Sequence, residues 1–249
     1  MAGERLRPRD RYRGVRDRCH AGVDSGPRSA RRRAPARDLG EPVGGGHAAA
    51  APWPELAGKT LGILGYGRIG QAVARRARAF DMAVWAIRRD LTRSDAHELA
   101  FLGGPDGLDE VLRRADYLAV TLSLTEATRG LLGERELRVM KPTALLINVA
   151  RAEIVDEEAL YRALVEKRLA GAALDVWYRY PTGAGPTFPA CHAFQELPNV
   201  LMTPHVSGWT EGMLEARATL IAENIERAAR GEPPVNLIAP PPAGRGGQR

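Results

Sequence analysis

The sequence predicts an α/β protein: a doubly wound parallel sheet of about six strands with helices on both faces. Two observations carry the prediction. From Glu55 onward, short apolar runs alternate with helical patterns, the order that builds a parallel sheet wrapped by crossover helices. The first apolar run also opens into a glycine turn, Gly65-x-Gly67-x-x-Gly70, placed between a strand and a helix. There the first glycine permits a tight turn, the second lets backbone approach a pyrophosphate, and the third lets helix and strand pack closely. This is the Rossmann arrangement, and it implies a dinucleotide cofactor.

Taken in order, Leu61 to Leu64 form the first expected strand, a helix follows from about Arg68 to Phe80, and Met82 to Ile87 form the second strand. Further apolar runs fall at Tyr117 to Leu122, Ala144 to Val149, Ala172 to Val176 and Val200 to Met202. Helical patterns between and after them cover Leu108 to Arg114, Asp156 to Arg168 and Thr210 to Arg230. Asp156, followed by Glu157 and Glu158, suits a helix N-terminus, where a short acceptor caps amides and acids favour the dipole. Gly231 with Pro233 and Pro234 stops the last helix, and a loose tail is expected over 239–249.

Composition is that of a globular chain, 44% hydrophobic and 27% charged. The net charge of +6 is concentrated: residues 1–58 hold 12 Arg and 7 acids, so nearly all the excess lies in that segment. Residues 1–52 are rich in Arg, Pro, Gly and Ala with no helical or alternating period, so a disordered leader is expected there, or the product of an out-of-frame start. Without interleaved aromatics the arginines point to no nucleic-acid partner. Cys19 and Cys191 give no disulfide framework and no metal spacing, and no apolar run reaches membrane-span length. A cytoplasmic setting is the expectation, with no metal.

Cofactor choice turns on the end of the second strand, where an acid would bind a ribose 2′-hydroxyl. Arg88 and Arg89 stand there. Two guanidinium groups suit a 2′-phosphate, so NADP is favoured over NAD, with Asp90 as the residue that would serve NAD instead.

Five segments in sequence, ELAGKTLGILGYGRIGQAVARRARAF, TLSLTEATRGLL, MKPTALLINVARAEIVDEEAL, GAALDVW and LPNVLMTPHVSGWT, resemble successive motifs of the D-isomer-specific 2-hydroxyacid dehydrogenases, which include glyoxylate/hydroxypyruvate reductases and phosphoglycerate dehydrogenases. The resemblance covers about residues 55 to 238. It implies an NAD(P)-dependent oxidoreductase moving hydride between nicotinamide and a small 2-oxo or 2-hydroxy acid, and a homodimer. It places the cofactor against Gly65, Tyr66, Gly67, Arg68, Ile69, Gly70, Arg88 and Arg89, then Leu122, Val149, Ala150, Asp175 and Ser207. The family's N-terminal substrate domain has no counterpart in this sequence. The last helix is therefore expected to expose a face meant for a partner, and an NAD(P)-binding fragment or regulatory module without turnover is the alternative reading.

Residue by residue, Arg151 resembles the arginine that holds the substrate carboxylate and polarises the keto oxygen. His205 resembles the acid/base that protonates the developing alkoxide. Asp175 resembles the acid that binds the nicotinamide carboxamide. The family's glutamate before the proline of the LDV loop pairs with the histidine, and here Tyr180 precedes Pro181. A neutral phenol can orient an imidazole but cannot hold it protonated by charge pairing. A more acidic optimum for reduction is expected, and a steep rise in activity between about pH 8 and 9 would contradict it. Cys191 and His192 are adjacent loop residues and are not expected to be metal ligands.

Overall fold

The computed structural model describes residues 54–92, 99–183 and 187–237. The expected leader, Cys19 and the tail fall outside these residues. The chain divides at Pro204 and His205 into two units, each considered by itself.

The first unit holds β1 (Thr60–Leu64), α1 (Arg68–Arg78), β2 (Ala83–Ile87), β3 (Phe101–Gly103), α2 (Leu108–Arg114) and β4 (Tyr117–Val120). It continues through α3 (Glu134–Val139), β5 (Leu145–Asn148), α4 (Glu157–Val165), β6 (Gly171–Leu174) and β7 (Val200–Met202). All seven strands are parallel, in the order β3-β2-β1-β4-β5-β6-β7. The sheet grows one way from β1 to β3 and the other way from β4 to β7. The reversal between β1 and β4 opens a crevice at the carboxyl ends of those strands, where ligands of such sheets bind.

Both faces of the sheet are covered, which is why its strands read as continuous apolar runs. On one face Leu61, Ile63, Val84 and Ala86 pack with Ala74 and Ala77 of α1. On the other, Leu64, Leu118, Leu146 and Leu174 pack with Leu112 of α2, Leu137 of α3 and Leu160 and Leu164 of α4. The buried residues of α1 are Gly70, Ala74 and Ala77, small enough to bring that helix close to the strands.

The sheet of about six strands that the sequence predicts has a seventh at its edge, β3. Its three residues are too few to show a period, and the strand is held at the sheet edge by pairing Trp85 with Phe101, whose rings stack at 4.9 Å. The six-residue α3 was also outside the expected set. The expected helix over Asp156 to Arg168 is shorter at its end: α4 stops at Val165 and Lys167 takes φ of 54°. Its start is as predicted, Asp156 Oδ1 accepting the Ala159 amide at 2.9 Å.

At the opposite end of the sheet from the crevice, Asp116 ties three segments together. Its carboxylate accepts the Thr60 amide at 2.8 Å and the Lys141 ammonium at 2.8 Å. Partial burial disfavours its charge, but these two donors outweigh that and hold its carboxyl below the ordinary value. Asp116→Ala is expected to cost about 1–3 kcal/mol at neutral pH, because a part-buried amide loses its acceptor. A folded-state pKa below the unfolded one means the contribution is present above about pH 4 and fades as pH falls further. Urea unfolding at pH 7 and pH 3 checks this: the gap between wild type and variant should narrow at pH 3.

The second unit contains α5 (Glu211–Ala229), none of whose residues is buried. Leu214, Ile221 and Ile225 are exposed on it. Among the described residues, no helix is long and apolar enough to cross a membrane.

Candidate cofactor and active site

The glycine turn sits where β1 ends in the crevice, and each of its glycines has a separate physical reason. Gly65 adopts φ of 103°, and a Cβ there would lie 2.9 Å from the Thr121 carbonyl and the Leu122 amide nitrogen. At Gly70 a Cβ would meet the Gly65 carbonyl oxygen at 2.5 Å, so only glycine lets α1 approach the end of β1 this closely. At Gly67 a Cβ would meet nothing within 4 Å. The fold makes no demand for glycine there, and the open space lies at the N-cap of α1, which has no side-chain cap. Helix geometry leaves the first amides of α1 without intrahelical acceptors, and no acid occupies the first turn. An anion fits this end.

The turn is clamped from two sides. Gly65 and Tyr66 donate their amides to the Ile87 carbonyl at 3.1 and 3.0 Å. Thr121 Oγ1 donates to the Gly65 carbonyl at 2.8 Å. The first clamp joins the turn to the end of β2, one residue before Arg88. Arg88 is buried, its guanidinium 6.0 Å from the centre of the Tyr66 ring. Arg89 is exposed, so it is the accessible guanidinium of the pair.

Past β5 the chain turns sharply to present Arg151. Asn148, 2% exposed, accepts the Ala150 amide at 3.0 Å and donates to the Arg151 carbonyl at 2.9 Å. The Arg151 guanidinium donates to the Ala150 carbonyl at 2.6 Å while its side chain remains exposed. Past β6, Asp175 is 4% exposed and accepts the Thr203 hydroxyl at 2.6 Å. Its amide donates to the Asn148 carbonyl at 3.1 Å, which links the Asp175 and Arg151 segments. Trp177 Nε1 donates to the Thr203 carbonyl at 2.9 Å.

Of the residues singled out in the sequence, the first unit brings Gly65 to Gly70, Arg88, Arg89, Leu122, Val149, Ala150, Arg151 and Asp175 to the carboxyl ends of neighbouring strands. Tyr180 lies in the loop after β6, 45% exposed, its hydroxyl accepting the Trp177 amide at 3.2 Å. His205 and Ser207 open the second unit, both exposed, His205 at φ of 58°. Thr121, Asn148 and Thr203 were not anticipated. Each is a polar residue at the end of an apolar run, and that position was the available signal. Cys191 is disulfide-bonded, although the sequence pointed to no disulfide framework.

A parallel sheet reversing at β1 and β4, with a glycine turn and an unblocked helix N-terminus in the crevice, defines a dinucleotide-binding domain. The comparison with known proteins gives the family. Residues 40–207 match the model of the D-isomer specific 2-hydroxyacid dehydrogenase NAD binding domain, and the chain belongs to that family. The glyoxylate reductase of Thermococcus gammatolerans is 41% identical over 184 residues, covering 74% of this chain and 52% of its own length. The chain thus spans about half the length of curated relatives such as this one. Among solved structures, the NADPH-dependent glyoxylate/hydroxypyruvate reductase of Sinorhizobium meliloti in complex with NADP and sulfate is 27% identical, with a TM-score of 0.65 over 76% of this chain and 58% of that one. The D-isomer specific 2-hydroxyacid dehydrogenase of Lactobacillus delbrueckii ssp. bulgaricus in its NAD-complexed form is 32% identical, with a TM-score of 0.66 over 76% and 60%.

Proposed function

We propose that this chain binds NADP(H) in preference to NAD(H) and serves hydride transfer between the nicotinamide and a small 2-oxo acid of the glyoxylate or hydroxypyruvate type. The observation that supports it most is the glycine turn, where space at Gly67 and the α1 N-terminus fit a pyrophosphate. When bound, the nicotinamide supplies the hydride. The chain's own residues do the rest. Asp175, buried and fixed by Thr203, would hold the nicotinamide by accepting a hydrogen bond from its carboxamide. Arg151 binds the substrate carboxylate and draws charge onto the keto oxygen. His205 delivers the proton to that oxygen. Tyr180 stands where the family's glutamate would be and contributes orientation without charge. A homodimer and a cytoplasmic location belong to the same proposal, as does a division into leader (1–52), nucleotide domain (53–238) and tail (239–249).

The assay is steady-state reduction of glyoxylate and hydroxypyruvate with NADPH. Turnover supports the oxidoreductase, while saturable cofactor binding without turnover supports a binding module. The second reading has one observation in its favour: Tyr180 stands where the family resemblance leads one to expect an acid.

Two variants sharpen the proposal. Arg89→Ala is expected to weaken NADPH binding about tenfold and leave NADH binding within about twofold, since one charge-assisted pair to a phosphate is worth about 1.5–3 kcal/mol at most; fluorescence titration with both cofactors measures it. Tyr180→Glu is expected to move the optimum for reduction to higher pH, because a carboxylate favours the protonated imidazole. An unchanged pH profile would show that Tyr180 does not act on His205.

A further inference from the structure

We propose that Glu157 and His192 are positioning residues which, from outside the cofactor crevice, fix the loop between β6 and β7 and thereby the wall of a cleft beside Asp175. The cleft, about 440 Å³, lies at the carboxyl ends of β6 and β7 and is lined in part by Trp177, Tyr180, Pro181, Pro189, Met202 and Thr203. One wall is anchored to the sheet through Trp177 and Thr203. The other wall is loop, and its attachment is what Glu157 and His192 supply.

Glu157 is a carboxylate at the start of α4, only 8% exposed. It has no cationic partner among the described side chains. Instead its Oε1 accepts two consecutive loop amides, those of Cys191 and His192. A carboxylate bonded by two backbone donors holds a chain segment firmly, because breaking the contact leaves both a buried charge and amides unsatisfied. His192 adds a second hold on the same helix. Its ring stacks on Tyr161 at 4.6 Å and 16°, and its Nε2 lies 3.0 Å from Glu158 Oε2. Tyr161 in turn meets the fully buried Phe194 edge-on at 5.4 Å. Glu157, Glu158 and Tyr161 therefore present one continuous seat, on the first two turns of α4, for residues 191 to 194.

From this seat the restraint passes to the cleft through the backbone. Arg179 donates its amide to the Pro189 carbonyl at 3.0 Å, so the outgoing and returning limbs of the loop are joined two residues from the seat. The outgoing limb is also pinned by the Tyr178 hydroxyl, which donates to the Val155 carbonyl at 3.0 Å just before α4. Tyr180 and Pro181 follow directly. The placement of Tyr180, the residue that stands in for the family's acid, is thus tied through Arg179 and Pro189 to Glu157 and His192, which line no part of the cleft.

This inference rests on the reading that the cleft belongs to the substrate side of the site, but its test does not need turnover. Hydrogen exchange is followed by mass spectrometry on the full chain and on Glu157→Ala, Glu157→Gln and His192→Ala, with NADPH titration of each protein in parallel. In Glu157→Ala, exchange is expected to rise about tenfold or more at residues 190–194 and also at 177–182, with residues 62–76 unchanged. Glu157→Gln, whose amide oxygen can still accept from the loop, should restore most of the protection at both places. His192→Ala should give an intermediate rise at both, and it decides the matter if Glu157→Ala fails to fold. Loosening confined to 190–194, with 177–182 exchanging at the wild-type rate, would overturn the proposal. Unchanged NADPH affinity across the set accompanies success, whereas absence of NADPH binding in the wild type defeats the functional reading and leaves the exchange result to stand separately.

Discussion

Gly67→Val is expected to weaken NADPH binding by about 100-fold or more while leaving the melting temperature within about 2 °C of wild type. The two halves of that result come from one observation. A Cβ at Gly67 meets nothing within 4 Å, and φ there is −95°, which any residue adopts. The fold therefore tolerates a side chain. The same empty space is where a pyrophosphate must come against the backbone of the α1 N-terminus, so the isopropyl group occupies the ligand's position. Gly70→Ala is the contrasting case. Its Cβ would meet the Gly65 carbonyl oxygen at 2.5 Å, and the helix must shift away from β1. That variant should lose stability, by about 1–3 kcal/mol, along with binding. Thermal melts with paired titrations distinguish the two behaviours.

Arg151→Ala is expected to lower kcat/KM for glyoxylate by about 10²–10³ while changing NADPH affinity less than about twofold. Arg151 is exposed at the turn after β5, whose backbone the Asn148 clamp holds. If it binds the carboxylate and polarises the keto oxygen, its loss is felt where charge develops and not where the cofactor's phosphates sit. A parallel loss of cofactor affinity would mean that Arg151 serves the cofactor instead. Asn148→Ala should reproduce part of the catalytic loss by freeing the turn, with Arg151 itself intact.

The long elements were readable because two independent periods agreed with the glycine turn: apolar strands buried on both faces, and helices with one apolar stripe. What was missed was short. β3 has three residues and depends on pairing with β2 and on the Trp85 and Phe101 stack, a contact between positions 16 apart that no local pattern reveals. The six residues of α3 bury one side chain, Leu137. The chemistry-bearing residues were legible as positions in motifs, but their supports were not. Thr121, Asn148 and Thr203 act through bonds across strand ends, and Glu157 reads from sequence as one more acid in a helix's first turn. Its burial and its two amide donors appear only once the loop before β7 folds back onto α4.

We propose that the turn from Gly65 to Gly70 binds a dinucleotide, with Arg89 favouring the phosphorylated form. Isothermal titration of the full chain with NADPH and then NADH tests it most directly. Saturable binding of one NADPH per chain is expected, at least about tenfold tighter than NADH, and lost in Gly67→Val. Saturable binding of neither cofactor, or NADPH binding undiminished by the valine, would contradict it.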